Sequence, residues 1–145
     1  DRATREILDG VPYLRGLPFV GPDKIGIIGF CMGGGLALLS ICRTREITAA
    51  VIYFQSMYPD PGELVNIACP ILCHYGEDDI YTPRSEVEAF ERVLKEHNKS
   101  YQVHFYKNAG HAFCNEMHPE LYRKEAAEAS WPRTFEFFQK HLKDA

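Results

Sequence analysis

The sequence predicts an α/β fold built on a parallel sheet, and three observations carry that expectation. Apolar runs at residues 25–30, 47–54, 71–75 and 101–106 have strand length and are rich in Ile, Val, Tyr and Phe. Helical patterns separate them, so strands and helices alternate along the chain. The first two runs are apolar at nearly every position rather than at every second one, as strands buried on both faces are.

Asp1 to Leu14 is expected to be a helix, with Ile7, Val11 and Leu14 at helical spacing and Gly16 near its end. Pro18–Asp23 forms a turn into the Ile25–Phe30 strand, and the next helical pattern begins just past Gly35 and runs to about Arg43. Ile47–Phe54 is the second strand. A loop carrying Pro59 and Pro61 follows, then a short helical turn over Glu63–Ile67. Pro70 opens the third strand, Ile71–Tyr75, which Gly76 stops. Thr82 suits a helix N-cap and Pro83 the first helical position. Val87, Phe90 and Leu94 give that helix one apolar face, and Asn98 can end it. Tyr101–Tyr106 alternates, with Tyr101, Val103 and Phe105 opposite Gln102, His104 and Tyr106, the pattern of an edge strand. Gly110–His118 is a loop. A last helix after Pro119 has Trp131, Phe135, Phe138 and Leu142 on one face, and Pro132 is expected to kink or restart it.

The 145 residues suffice for one modest domain with a real core. Sixteen basic against twenty acidic residues, with no basic block, argue against nucleic-acid binding. No apolar run approaches a membrane span. The five cysteines are odd in number and show no disulfide spacing, so a reducing, cytoplasmic compartment is expected. Cys69 and Cys73 lack a second pair and fit buried strand cysteines better than a zinc ribbon. His111, Cys114 and His118 have a spacing that could suit zinc, but no further pair matches it, so no metal and no cofactor is expected.

The chemistry is expected at Gly29-Phe30-Cys31-Met32-Gly33-Gly34-Gly35, between the first strand and its helix. A thiol framed by glycines at a strand-to-helix turn has the form of a nucleophile elbow, with cysteine where serine is more usual. The tight turn is expected to exclude side chains at Gly29 and Gly33. Cys31 then stands at a helix N-terminus, which favours the thiolate. A buried structural cysteine would need no such frame, and the glycines do not give a dinucleotide-type G-x-G-x-x-G. An acid could come from Asp78 or Asp79, in a loop just after a strand. Of six histidines, His111 follows Gly110 in a loop after the last strand, whereas His74 lies within a strand and is expected to pack or bond there.

Gly29-Phe30-Cys31-Met32-Gly33-Gly34, Gly76-Glu77-Asp78-Asp79-Ile80-Tyr81-Thr82-Pro83 and Ala109-Gly110-His111-Ala112-Phe113 closely resemble the dienelactone hydrolase family. The resemblance covers essentially the whole chain. It implies an α/β-hydrolase-like doubly wound parallel sheet and a triad of Cys31 (nucleophile), Asp79 (acid) and His111 (base), with the Met32 amide as one oxyanion donor. It also implies hydrolysis of an ester or lactone of small size, as in carboxymethylenebutenolidase. Members carry further strands on the N-terminal side, so residues 1–145 are expected to form a single partial domain of about four strands. The loop giving the second oxyanion donor is then absent, and this chain alone is expected to be poorly active. The open edge of the Ile25–Phe30 strand is expected to invite self-association. Where the family has an arginine four residues after the histidine, this chain has Asn115, and the aromatic Tyr53-Phe54 is followed by Gln55 rather than glycine. Tyr53 and Phe54 are equally well read as core residues. The competing functions are a non-catalytic or redox-sensing homologue and another acyl hydrolase such as a thioesterase or peptidase.

Overall fold

A computed structural model describes residues 2–21 and 24–143. The elements are α1 (Arg2–Arg15), β1 (Gly26–Phe30), α2 (Met32–Arg43), β2 (Ala49–Tyr53), α3 (Pro61–Leu64), β3 (Ile71–Gly76), α4 (Arg84–Glu96), β4 (Tyr101–Tyr106) and α5 (Lys124–Phe138), which a π-helical turn at Gln139–Lys143 extends. The four strands form one sheet in the order β1-β2-β3-β4, parallel at every pairing. Pro22 and Asp23, the end of the expected Pro18–Asp23 turn, lie outside the described residues.

Strand alternation divides the core in two. Ala50 and Ile52 of β2 and Ile71, Cys73 and Tyr75 of β3 face Leu38 and Ile41 of α2 and Val87, Phe90 and Leu94 of α4. Ala49, Val51, Tyr53 and Leu72 face the other way, toward Ala126 and Phe137 of α5. Helices thus cover both faces of β2 and β3, whose residues are all buried. Full burial of a side chain such as Leu38 or Ile41 stabilises the fold by roughly 1.5–3 kcal/mol. The alternation expected of the last strand is present: Tyr101, Val103 and Phe105 pack on the first core and Tyr106 on the second.

The structure departs from the sequence expectations in several places; among them, the short helix is Pro61–Leu64 rather than Glu63–Ile67. β1 is not buried on both faces: Ile28 is 39% and Phe30 37% exposed, because β1 pairs only with β2 among the described strands. α2 begins at Met32 rather than past Gly35, so the glycines form its first turn. Leu14 of α1 is exposed, leaving Val11 as that helix's buried apolar anchor. Thr82 does not cap α4; Pro83 holds the cap position and the Thr82 hydroxyl is used elsewhere. The buried face of α5 is Ala126, Ala127, Ser130, Thr134 and Phe137, while Phe135 is exposed, and the helix runs uninterrupted through Pro132. Phe138 and Leu142 pack partly buried against the second core, and Trp131 lies 5.6 Å from Tyr53.

Candidate functional site

Cys31, Asp79 and His111 gather at the C-terminal ends of β1, β3 and β4. The turn after β1 puts Cys31 at φ 53°, a left-handed conformation that costs energy in a non-glycine residue and lifts its side chain clear of the sheet. The Cys31 amide donates to the Tyr53 carbonyl (3.0 Å), which ties the turn to β2. Gly29 is required here, because a Cβ at that position would meet the Gly33 carbonyl oxygen at 2.1 Å. Gly33 itself is not excluded on steric grounds: a Cβ there would touch nothing within 4 Å. The expected symmetry of the two glycines is therefore corrected. One is needed for its missing side chain; the other contributes the backbone that crowds it.

Gly76 does the same for the two later loops. A Cβ on Gly76 would strike the Ala109 carbonyl oxygen at 2.1 Å, and its absence lets the loop after β3 lie against the loop after β4. The Glu77 amide donates to the Tyr106 carbonyl and the Asp78 amide to the Ala109 carbonyl, each at 2.9 Å. This juxtaposition chooses between the two aspartates. Asp78 is exposed. Asp79 is 4% exposed and its Oδ2 accepts from His111 Nδ1 at 2.9 Å, while Oδ1 accepts from the Tyr81 and Thr82 amides at 2.8 and 3.0 Å.

The other ring nitrogen, His111 Nε2, lies 3.0 Å from Cys31 Sγ. Cys31, His111 and Asp79 are thus one continuous chain of hydrogen bonds. Hydrogen bonding to Asp79 dominates at His111 and, despite opposing burial, raises its pKa to about 9. Partial burial opposes ionisation of Cys31, but hydrogen bonds with His111, Ser56 and the Met32 amide outweigh it and hold the thiol below its ordinary value. The two shifts point the same way, each favouring the charged form of its group beside the other. The other four thiols move the opposite way: burial pushes Cys42 and Cys73 up to about 12 and Cys69 and Cys114 to about 11. All five cysteines are free. No group of three or more metal-ligating side chains occurs among the described residues.

Around the triad stand Phe54, which the sequence left open between site and core, and others to which it gave no role in the site. Phe54 is 2% exposed and its ring lies 5.2 Å from that of His111, so it belongs to the site as well as to the core. Its φ of 35° turns the chain sharply at the end of β2. Tyr81 meets the same imidazole edge-on at 5.2 Å. Ser56 Oγ lies 3.9 Å from Cys31 Sγ. The buried Thr82 hydroxyl donates to the Gln55 carbonyl (2.9 Å) and fastens the Asp79 loop to the segment after β2. A signal existed for Phe54 and Ser56, since both follow a parallel strand at the edge where functional residues gather. The hydroxyl of Thr82 gave none. Tyr53 is a core residue whose hydroxyl is hydrogen-bonded with Thr134 at 2.9 Å.

His74 bonds within its strand's core, as expected: Nδ1 pairs with the Tyr106 hydroxyl (2.8 Å) and Nε2 with the Thr134 hydroxyl (3.0 Å). Burial holds it neutral, with a pKa near about 3.

The profile of the dienelactone hydrolase family matches residues 1–142. The chain is 31% identical to a probable 2-oxo-3-(5-oxofuran-2-ylidene)propanoate lactonase of a Bradyrhizobium species, over 97% of its own length and 60% of that protein's. It is 35% identical to the carboxymethylenebutenolidase of Rhodococcus opacus, over 83% of the chain and 51% of the relative. The chain thus spans between half and three fifths of the length of these curated relatives. Among solved structures, a dienelactone hydrolase-like promiscuous phosphotriesterase from metagenomic libraries superposes with a TM-score of 0.87 at 23% identity, covering 97% of this chain and 62% of that one. An acylaminoacyl peptidase of Pyrococcus horikoshii superposes at 0.81 with 19% identity, covering 98% of this chain and 28% of that one. These likenesses establish the α/β-hydrolase fold.

Proposed function

Because this chain belongs to the dienelactone hydrolase family, we propose that it carries the cysteine-dependent acyl-transfer site of a hydrolase acting on small esters or lactones. The observation that supports this most is the unbroken line from Asp79 Oδ2 through His111 to Cys31 Sγ, at 2.9 and 3.0 Å. Asp79 fixes the imidazole's tautomer and orientation, and His111 keeps Cys31 ionised. The thiolate attacks the substrate carbonyl carbon. The carbonyl π pair moves to oxygen, and the Met32 amide donates to the resulting oxyanion. On collapse the C–O bond of the leaving group breaks, and the imidazolium gives its proton to the departing alkoxide. A thioester remains. Neutral His111 then takes a proton from water as the water attacks, the thiolate leaves, and the acid product departs with the ion pair restored.

The relatives' printed substrates, an enol-lactone among them, agree with a thiolate nucleophile, because an enolate or aryloxide leaves easily. The domain reading is likewise proposed: β1 to β4 are part of one larger hydrolase sheet. The exposure of Ile28 and Phe30, and the 60% share of the lactonase's length, support it. The five free cysteines favour a reducing compartment. No helix among the described residues is long and apolar enough to cross a membrane.

Pre-steady-state hydrolysis of an aryl acetate by the full-length protein tests the proposal. A burst of phenol, with a 42 Da acetyl adduct localised to Cys31, is expected, and Cys31→Ala should lower turnover by about 10⁴-fold or more. Undiminished turnover in Cys31→Ala would overturn it.

A further inference from the structure

The segment that leaves β2 touches every member of the triad or the loop that carries it. Phe54 sets its ring 5.2 Å from the His111 imidazole. The Gln55 carbonyl accepts from the Thr82 hydroxyl at 2.9 Å, in the loop of Asp79. Ser56 Oγ lies 3.9 Å from Cys31 Sγ. These contacts close a ring. From Gln55 it runs to the Thr82 hydroxyl, and from the Thr82 amide to Asp79 Oδ1 at 3.0 Å. It continues from Oδ2 to His111 Nδ1 at 2.9 Å and from Nε2 to Cys31 Sγ at 3.0 Å. Ser56 and its peptide bond to Gln55 complete it. Gln55 is itself fixed. It is fully buried, and its Oε1 accepts from the buried Tyr75 hydroxyl of β3 at 2.8 Å. A Cβ added to Gly34, in the first turn of α2, would come within 3.2 Å of the Gln55 Cβ.

Resting on the hydrolase reading above, we propose that Thr82 and Gln55 are positioning residues. The Thr82 hydroxyl, anchored on the Gln55 carbonyl, holds Asp79 against His111 and so aims the imidazole at Cys31. Burial does little to hold the stretch between Asp79 and Thr82, since Ile80 is 81% and Tyr81 66% exposed. Upstream of Asp79 the loop is tied by the Glu77 and Asp78 amides to the Tyr106 and Ala109 carbonyls. Downstream, the tie to another element is Thr82, which is fully buried. This one residue grips the carboxylate with its amide and the β2 segment with its hydroxyl, so a shift of Thr82 carries the acid with it. A displacement of about 1 Å in a reacting constellation can cost about 10²-fold in rate. The titratable groups that face the imidazole among the described residues are Asp79, Cys31 and Tyr81. A change at Thr82 therefore reaches the imidazole proton through the Asp79 loop. The departure from glycine at position 55 also gains a purpose. Any residue could offer the carbonyl, but the bond from Tyr75 needs the glutamine side chain, which pins the segment to β3.

Thr82→Val, which keeps the volume of the side chain and removes its hydroxyl, tests the proposal in the full-length protein, with Thr82→Ser as the rescue. One readout is the acid limb of the pH profile for Cys31 alkylation by iodoacetamide, the adduct assigned by mass spectrometry. The other is kcat and KM for an aryl acetate. In Thr82→Val the limb should move up toward the ordinary thiol value, and kcat should fall by roughly tenfold or more with KM held within about twofold. Thr82→Ser should restore both. Tyr75→Phe, which releases the Gln55 side chain, should displace the limb less and in the same direction. A folded Thr82→Val with a lowered thermal midpoint but an unmoved limb and unchanged kcat would make the hydroxyl purely structural and overturn the proposal. Thr82→Ser behaving like Thr82→Val would overturn it too. If Thr82→Val does not fold, an unmoved limb in Tyr75→Phe has the same force. The two readouts also separate this proposal from the hydrolase reading. A limb that moves with Thr82→Val and returns with Thr82→Ser, in a protein that hydrolyses no ester, would keep the positioning and remove the hydrolysis. Ester turnover through Cys31 that is indifferent to Thr82 would do the reverse.

Discussion

His111 and His74 are the same side chain held in opposite charge states by one small fold. His111 has the Asp79 carboxyl group at 2.9 Å and the Cys31 sulfur at 3.0 Å, and its pKa rises to about 9. His74 has two hydroxyls at 2.8 and 3.0 Å, and burial brings its pKa down to about 3. Both rings are fully hydrogen-bonded, but the dominant influence differs: the hydrogen bond to Asp79 at His111, and burial at His74. The loop after β4 delivers its histidine to an aspartate; the middle of β3 delivers its histidine to Tyr106 and Thr134. One is arranged for proton transfer and the other for a dry, neutral core.

The largest expected effect comes from erasing that difference at His111. Asp79→Asn keeps the shape of the acid loop but removes the charge, and removal of the corresponding charge in a triad costs about 10⁴ in kcat. Hydrogen bonding to Asp79 is the largest contribution to the raised pKa. The alkaline limb of the pH–rate profile, set by loss of the imidazolium proton near about 9 in the parent, should therefore move toward the ordinary histidine value near 6.5. A profile whose alkaline limb stays in place would separate His111 from the chemistry.

The counterpart at the other site is His74→Phe. It removes one hydrogen bond from each of the Tyr106 and Thr134 hydroxyls, which keep Arg133 and Tyr53 as partners, and each such loss costs about 0.5–1.5 kcal/mol. A lowered thermal midpoint with kcat unchanged within a fewfold is expected, the reverse of the Asp79→Asn outcome. Equal damage to kcat would mean that the two histidines are coupled.

The same contrast sets two pH windows of stability. His74 has a folded pKa below its unfolded value, so below pH 6.5 the unfolded chain binds a proton that the folded chain refuses. Stability then falls with pH, by at most roughly 1.4 kcal/mol per unit, until about pH 3. His111 has a folded pKa above its unfolded value. Its contribution is complete below 6.5 and is lost as pH rises through about 9. Denaturant titrations should show the acid slope flattened in His74→Phe and the alkaline slope flattened in Asp79→Asn. Coincident curves for both variants would break the comparison.

How far the site could be read from sequence follows from the range of the forces involved. The turn at Gly29-Phe30-Cys31 and the loop residue His111 are local signals, because glycine demand and strand-to-helix punctuation act over a few residues. The choice of Asp79 over Asp78 needed the resemblance, since only contact with the loop after β4 separates an exposed carboxylate from one that is 4% exposed. Residues that act through distant contacts were beyond reach. Thr82 looks like a helix cap until Gln55 is beside it, and Phe54 reads equally as core or site until His111 is beside it. On α5 the sequence misplaced only Phe135, which is exposed: Phe138 and Leu142 pack against the second core and Trp131 against Tyr53, beside a face of Ala126, Ala127, Ser130, Thr134 and Phe137 that carried no apolar stripe to reveal it. The start of α2 was displaced because three glycines resemble a loop, whereas backbone tied at Cys31 and Tyr53 holds them in a helix.

The smallest expected effect tests how finely the charge state of the site is set. Ser56 lies 3.9 Å from the sulfur and contributes to the depression of the Cys31 pKa, after burial, which opposes it, and after His111, which leads it. A hydroxyl bonded to a thiolate at that distance is a weak contact, so Ser56→Ala should raise the acid limb of the Cys31 alkylation profile by less than about one unit, or 1.4 kcal/mol. His111→Ala removes both the leading hydrogen bond and the opposite charge and should raise it further. The order of the two displacements is the result that matters. If Ser56→Ala moved the limb as far as His111→Ala, the thiolate would owe its stability to the hydroxyl rather than to the imidazolium. The contrast between His111 and His74 would then describe the histidines alone and not the reactivity of Cys31.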